Sequence, residues 1–338
     1  MLYDPKTQGL LCPYCSSQKE ITKIPTYIRN YNEERELGGV IDDFKQVYKC
    51  PNCGGEVEFD SYEMATACPF CSATNVVKLK NEKGLKPDGI LPFLYTKEMA
   101  FEAGKNWIKK KFFAHGAFKK NFKADNLKGV YVPSYLFSSN TYTSYVARLG
   151  EHYTVTVGSG KNRRTETRTR WFTVSGTLSR AFKDIIVEAS RHLTQKELHR
   201  INPFDTDNLE GYQKEYTAGF SAERSDTTLD DGFAVAKRIM DDIIQREALS
   251  RYDYDVVGSF DAKTTYSAVG FHYSLVPIWM FGCKHKDKVY HYLVNGRTGR
   301  SYGKYPISAG KVCTVVFSVL AVLATVIAIV YCTQRGYF

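Results

Sequence analysis

The 338-residue sequence predicts an α+β protein in three parts: a small N-terminal β module, a helix-plus-antiparallel-sheet domain, and one C-terminal transmembrane helix. Three observations predict this order. Six cysteines fall in Cys-Pro-x-Cys pairs near the N-terminus, and runs rich in Tyr, Val and Thr alternate with amphipathic helical patterns through the middle. Val312 to Cys332 then form 21 positions without a charge, Gly or Pro.

The pairs are Cys12/Cys15, Cys50/Cys53 and Cys68/Cys71. Fourteen residues separate Cys53 from Cys68, enough for a short hairpin between two knuckles, which is the spacing of a zinc ribbon. Each knuckle turns the chain so that two thiolates face one point, and Gly54 suits the positive φ of such a turn. Four thiolates close a tetrahedral shell, so Cys50, Cys53, Cys68 and Cys71 predict one structural Zn²⁺ rather than a catalytic one. The metal is needed because so short a module has little core, and binding worth about 10–16 kcal/mol supplies its stability. A thioredoxin-like redox reading lacks the βαβ context it requires.

The first pair belongs to an internal repeat at an offset of 56 residues. YDPKTQGLLCPYCS (Tyr3 to Ser16) aligns without a gap with FDSYEMATACPFCS (Phe59 to Ser72). Residues 1–45 therefore read as a half ribbon with its linker, and Cys12/Cys15 as an incomplete second metal site whose partner pair would fall before Met1. A start assigned too late, a degraded ribbon and a half-site completed by another chain explain this, in that order. Cys283 and His285 form an isolated C-x-H, read as incidental, and Cys313 and Cys332 as small apolar residues flanking the span.

The complete ribbon is placed at 46–78, a polar linker at 79–89, and the α+β domain at 90–310. A helix is predicted from about Lys97 to Phe113, burying Ala100, Ala103, Trp107 and Phe112. Its opposite face carries Lys105, Lys109, Lys110 and Lys111, a solvated face or an anionic contact surface. Antiparallel strands follow at Gly129 to Leu149 and His152 to Gly176. GSGKN (Gly158 to Asn162) within the second of these is a hairpin turn, because the positions a phosphate-binding loop requires hold Val155 and Asn162. A long helix is predicted over Leu229 to Leu249, with Phe233, Ala236, Met240 and Ile243 on one stripe and Asp230 and Asp231 in its first turn. Later strands turn at KHKDK and NGRTG. VYVPSYLF (Val130 to Phe137) and SLVPIWMF (Ser274 to Phe281) share a core and each follow a helix, which points to a duplicated helix-then-sheet unit. No H-E-x-x-H and no G-x-S-x-G occurs, so no catalytic residue is assigned.

The apolar stretch spans roughly 31 Å as a helix, the thickness of a bilayer core. The transmembrane helix is placed at 311–332 and a short tail at 333–338. Arg297, Arg300, Lys304 and Lys311 precede it without an acid and only Arg335 follows, which favours a cytoplasmic bulk. With no signal-like N-terminus, the expected topology is tail-anchored or late-inserting. The 46 basic and 36 acidic residues leave a net charge of +10, an attraction for anionic lipid or nucleic acid. Lys109, Lys110, Lys111, Arg163 and Arg164 are the candidate anionic contacts.

CPNCGGEVEFD, ATACPFC, ILPF, LKGVYVPSYLF, YTAGFSAE, LVPIWMF and VNGRTGRSYGKYPIS, followed by the closing span, carry a resemblance over nearly the whole chain. It resembles the bacterial family of YdjG-like membrane proteins with TFIIB-type zinc ribbons, found in phage-shock-type operons and often labelled primosomal helicases. The resemblance implies a non-enzymatic adaptor at the bacterial cytoplasmic membrane that recruits PspA-like or SPFH-domain proteins in envelope stress. The family carries two complete ribbons where this chain has one and a half. The helicase label finds no phosphate-binding loop here. The alternative function is a membrane-tethered nucleic-acid-binding regulator using the ribbon with Lys161, Arg163, Arg164, Arg168 and Arg170.

Overall fold

The computed structural model describes residues 1–37, 41–42, 47–58, 68–71, 73, 77–78, 84–190, 193–223, 225, 227–285 and 288–334. In chain order, β1 (Leu2–Asp4), β2 (Gly9–Leu11) and β3 (Gln18–Glu20) form a three-stranded antiparallel sheet. The ribbon strands β4 (Val47–Lys49), β5 (Glu56–Glu58) and β6 (Val77–Lys78) follow, then β7 (Gly89–Ile90) and helix α1 (Lys97–Lys109). The body continues with β8 (Leu127–Val157), β9 (Arg164–Glu188), α2 (Gln195–Ile201), β10 (Ser221–Glu223) and α3 (Leu229–Leu249). It closes with β11 (Val256–His285), β12 (Lys288–Asn295), β13 (Ser301–Gly303) and the apolar helix α4 (Ala309–Gln334).

The architecture is α+β, with a 12-stranded mixed sheet built on the antiparallel pair β8–β11. Two Val-Pro pairs organise its centre. Val132 lies opposite Val276, so the segments that share the V-P core run past each other antiparallel. On its outer side β8 pairs in parallel with β10 at Val130 and Tyr131, then antiparallel with β9 from Ser134. In the same way β11 pairs in parallel with β7 at Ser274 and Leu275, then antiparallel with β12 from Ile278. The change of partner falls at the prolines for a physical reason. The Pro133 and Pro277 carbonyls face the outer side, accepting from Ala189 at 3.1 Å and Gly296 at 2.8 Å, and the N–H each proline lacks would point the same way. The N-cap threonines repeat this correspondence: Thr96 stands seven residues after Gly89 and Thr228 seven after Ser221, and each accepts from the N3 amide.

The sequence places the strands but not their length. The hairpin expected around GSGKN is present, joined through Gly158 and Gly160 at positive φ, but the strand expected over 129–149 runs on without a break to Val157, 31 residues in all, and its partner has 25. Both flanking strands bulge beside the central one, where Asp184 and Ala268 adopt left-handed φ, and beyond that point three strands project as a blade. Helix α3 lies along one face of the blade and buries Phe233, Ala236 and Met240 against Phe137, Leu178 and Phe182. The opposite face, with Tyr142, Val146 and Trp171, is open to solvent.

Helix α1 is shorter than its sequence pattern. It ends at Lys109 with Lys110 as C-cap, and a second helix runs over Gly116–Asn121. The buried stripe is Ala100, Gly104 and Ile108, while Trp107 is half-buried and Phe112 lies outside the helix, exposed. The apolar stretch is one helix, and Ala309–Tyr331 is long and apolar enough to cross a membrane. Among the described residues nothing covers that segment, which a core helix packed inside the protein would require.

Candidate metal centre

The four cysteines of the complete ribbon meet at one point. Their sulfurs all lie within 4.8 Å of one another, with Cys50 to Cys71 and Cys53 to Cys68 both at 3.6 Å. A tetrahedron with metal–sulfur bonds of about 2.3 Å requires sulfurs about 3.8 Å apart, so the cluster already has the size of a zinc shell. The backbone builds each half in the same way. Cys50 donates its N–H to the Gly55 carbonyl at 2.8 Å and accepts from Gly54, and Cys68 donates to Ala73 at 2.8 Å. Gly54 sits at φ 78°, the left-handed conformation that closes the knuckle at low cost.

Cys50, Cys68 and Cys71 are buried and Cys53 is half-buried. Burial pushes the Cys50 thiol up, and the thiol–thiol hydrogen bond with Cys53, together with burial, pushes the Cys68 thiol up. A divalent cation at the centre of the four sulfurs would hold them as thiolates. The Asn52 side-chain amide donates to Cys71 Sγ at 3.2 Å, an outer hydrogen bond of the kind that offsets the charge of a thiolate shell. The donor set therefore fits Zn²⁺, which these four residues would hold in a closed shell.

The centre is part of the body. Strand β5 pairs antiparallel with β10, extending the main sheet, and Val57, Phe70 and three of the cysteines share one apolar cluster with Val130, Val132, Ile278 and Met280. Close approach sets the docking: a Cβ on Gly282 would lie 2.0 Å from the Phe70 carbonyl oxygen. Asn52, Val57, Phe70 and Gly282 were not identified as site residues from the sequence. Most of their partners lie far along the chain, and only the positions of Asn52 and Phe70 inside the two knuckles were local signals.

Cys12 and Cys15 form a matching but solitary knuckle. Cys12 donates to Ser17 at 2.9 Å, Ser16 donates to Cys12 at 3.0 Å, and Ser16 at φ 58° occupies the place of Gly54. Cys15 is exposed, and the Ser17 hydroxyl, its first cause, lowers the thiol to about 7. Among the described residues the four-cysteine cluster is the one group of three or more metal-ligating side chains, and Cys12/Cys15 has no third ligand there. Of the segment 59–72 that aligns with Tyr3 to Ser16, residues 59–67 and 72 lie outside the described residues, as does the side chain of Cys283.

The remaining candidates separate in space. Lys109, Lys110 and Lys111 close helix α1 at the foot of α4, whereas Arg163 and Arg164 cap the far end of β8. Arg164 and Arg168 pair with Glu166, and Arg170 with Glu151, so that end is less basic than the sequence suggested. A groove of about 860 Å³ lies between α2, α3 and the end of β9, lined by Ile186, His199, Asp242 and Arg246, and no cysteine enters it.

Fold and centre together define an α+β protein with a four-cysteine, zinc-ribbon-like cluster in its sheet and an apolar helix of bilayer length at its C-terminal side. Over 315 residues the chain is 26% identical to the uncharacterized protein YdjG of Bacillus subtilis (strain 168), a match covering 78% of this chain and 91% of that protein. No family model matches the chain, and no solved structure matches it.

Proposed function

We propose that this protein is a membrane-anchored, zinc-binding adaptor without enzymatic activity. It is held in a bacterial cytoplasmic membrane by α4, with the bulk of the chain on the cytoplasmic side. Its partners on this reading are PspA-like or SPFH-domain proteins recruited in envelope stress, as the resemblance to YdjG-like, TFIIB-type zinc-ribbon proteins implies. The observation that carries the reading is the closed four-thiolate geometry built into the sheet: such a centre stabilises a surface and offers no open coordination position for substrate. Support for the anchor comes from the uncovered 23-residue segment Ala309–Tyr331. The half-knuckle at Cys12/Cys15 is assigned no metal of its own.

The body is read as two copies of one strand–helix–strand–strand unit, β7–α1–β8–β9 and β10–α3–β11–β12. The matching partner changes at Pro133 and Pro277, and the equally spaced caps Thr96 and Thr228, support that reading.

Crosslinking in membranes of cells under envelope stress, followed by capture of the full chain and mass spectrometry, tests the function. Enrichment of PspA-like or SPFH-domain proteins, lost together with zinc in Cys50→Ser, is the expected result. Recovery of nucleic acid in their place would establish the regulator reading, which the ion pairs at the hairpin end disfavour.

A further inference from the structure

The foot of α4 is bolted to the loop that follows α1. Ser308 donates to the Phe113 carbonyl at 2.9 Å, His115 donates to Pro306 at 2.8 Å, and Ala114 bridges Ile307. Lys311, in the first turn of α4, reaches back with its ammonium to the carbonyls of Phe112 at 3.1 Å and Ala114 at 3.0 Å. These bonds fix residues 112–115 at the level where the apolar segment begins. Two large apolar side chains at that level face solvent, Phe112 at 60% exposure and Ile307 at 64%.

Around them the charge has one sign. Lys109, Lys110, Lys111, Lys119, Lys120 and Lys123 fall within 15 residues, and neither 103–124 nor 296–334 contains an acid. Among the described residues none of these six lysines pairs with a carboxylate; Lys111 instead lies over the Trp107 and Tyr305 rings. A surface that leaves such a cluster uncompensated next to exposed Phe and Ile is costly in water and complementary to the anionic boundary of a bilayer.

We propose that this collar is a second membrane contact. Phe112 and Ile307 enter the headgroup–acyl boundary beside α4, and the six lysines bind anionic lipid headgroups. The collar rests on the reading of α4 as a membrane span. It makes the attachment two-point, so that the body is held against the leaflet at a set angle instead of swinging on α4.

The full chain is reconstituted into phosphatidylcholine vesicles with and without phosphatidylglycerol, both containing acyl-brominated lipid, as wild type, as Phe112→Trp, and as a variant with Lys109, Lys110, Lys111, Lys119 and Lys120 changed to Gln. The added tryptophan of Phe112→Trp is expected to be quenched in anionic vesicles. Lipid retained with the protein should be enriched in phosphatidylglycerol at least about fivefold over the bulk, the gain expected of a single lysine at a leaflet, and the five-Gln variant should lower that enrichment. Resistance to alkaline carbonate reads the span separately. A retained chain with no quenching, or with equal enrichment in the five-Gln variant, overturns the collar alone; release of the chain by carbonate overturns the span and the collar together.

Discussion

Gly282 shows how one position without a side chain sets the relation of metal centre and body. Its strand passes so close to the second knuckle that a methyl group would meet the backbone of Phe70 rather than a movable side chain. Gly282→Ala should therefore lower stability by about 1–3 kcal/mol and loosen the second knuckle while zinc content stays at the wild-type ratio. Thermal unfolding together with hydrogen exchange at 68–71 checks this; unaltered exchange would show that the contact does not hold the ribbon in place. Glu197 offers a second test. Burial raises its pKa, but the Lys304 ammonium at 2.8 Å and the capping bonds of Thr194 outweigh burial and hold it below the usual carboxylate range. A carboxylate whose pKa is lowered on folding stabilises the fold above its unfolded pKa of about 4.3, and that contribution is lost as pH falls through the folded value. Glu197→Gln should cost about 1 kcal/mol at pH 7, and urea titrations of the two proteins should converge near pH 3.

At the scale of elements, what was legible in the sequence is what local chemistry decides. Helix α3 occupies its expected span because Thr228 caps it and Asp230 and Asp231 suit its first turn, so Thr228→Ala should cost about 1 kcal/mol in denaturant unfolding. The knuckles were legible because Cys-Pro-x-Cys encodes both a turn and its ligands. The end of α1 was not: the apolar spacing continues to Phe112, but the chain turns at Lys110 because the foot of α4 claims residues 112–115. The pairing of β5 with β10 joins residues more than 160 apart, and no local pattern records it. That pairing alters an expectation for metal removal. A ribbon standing apart would unfold and leave the body intact, whereas one sharing a core with Val130, Val132 and Ile278 transmits the loss. Chelation of zinc should shift the main calorimetric transition of the body downward, not merely remove a minor one.

The whole molecule is polar along β8. That strand starts at Leu127 opposite Phe281, which Phe118 and Phe122 pack against near the foot of α4, and ends 31 residues on at the Gly158 hairpin. At about 3.3 Å per residue it could reach roughly 100 Å, and twist and bulges shorten that span. The two basic clusters read as one class in the sequence therefore sit at opposite ends of β8; with the proposed collar against a leaflet, the hairpin cluster would lie well beyond a Debye length of about 8 Å from it. On that placement anionic lipid would act on the first cluster alone. Brief trypsin treatment of the full chain in anionic vesicles should consequently cut at the hairpin, at Lys161, Arg163 or Arg164, and spare Lys109, Lys110 and Lys111. In detergent both ends should be cut, because micelles lack the anionic surface that shields the collar. Protection of the hairpin by vesicles would mean that the blade lies down on the membrane, and the upright placement of β8 would have to be abandoned.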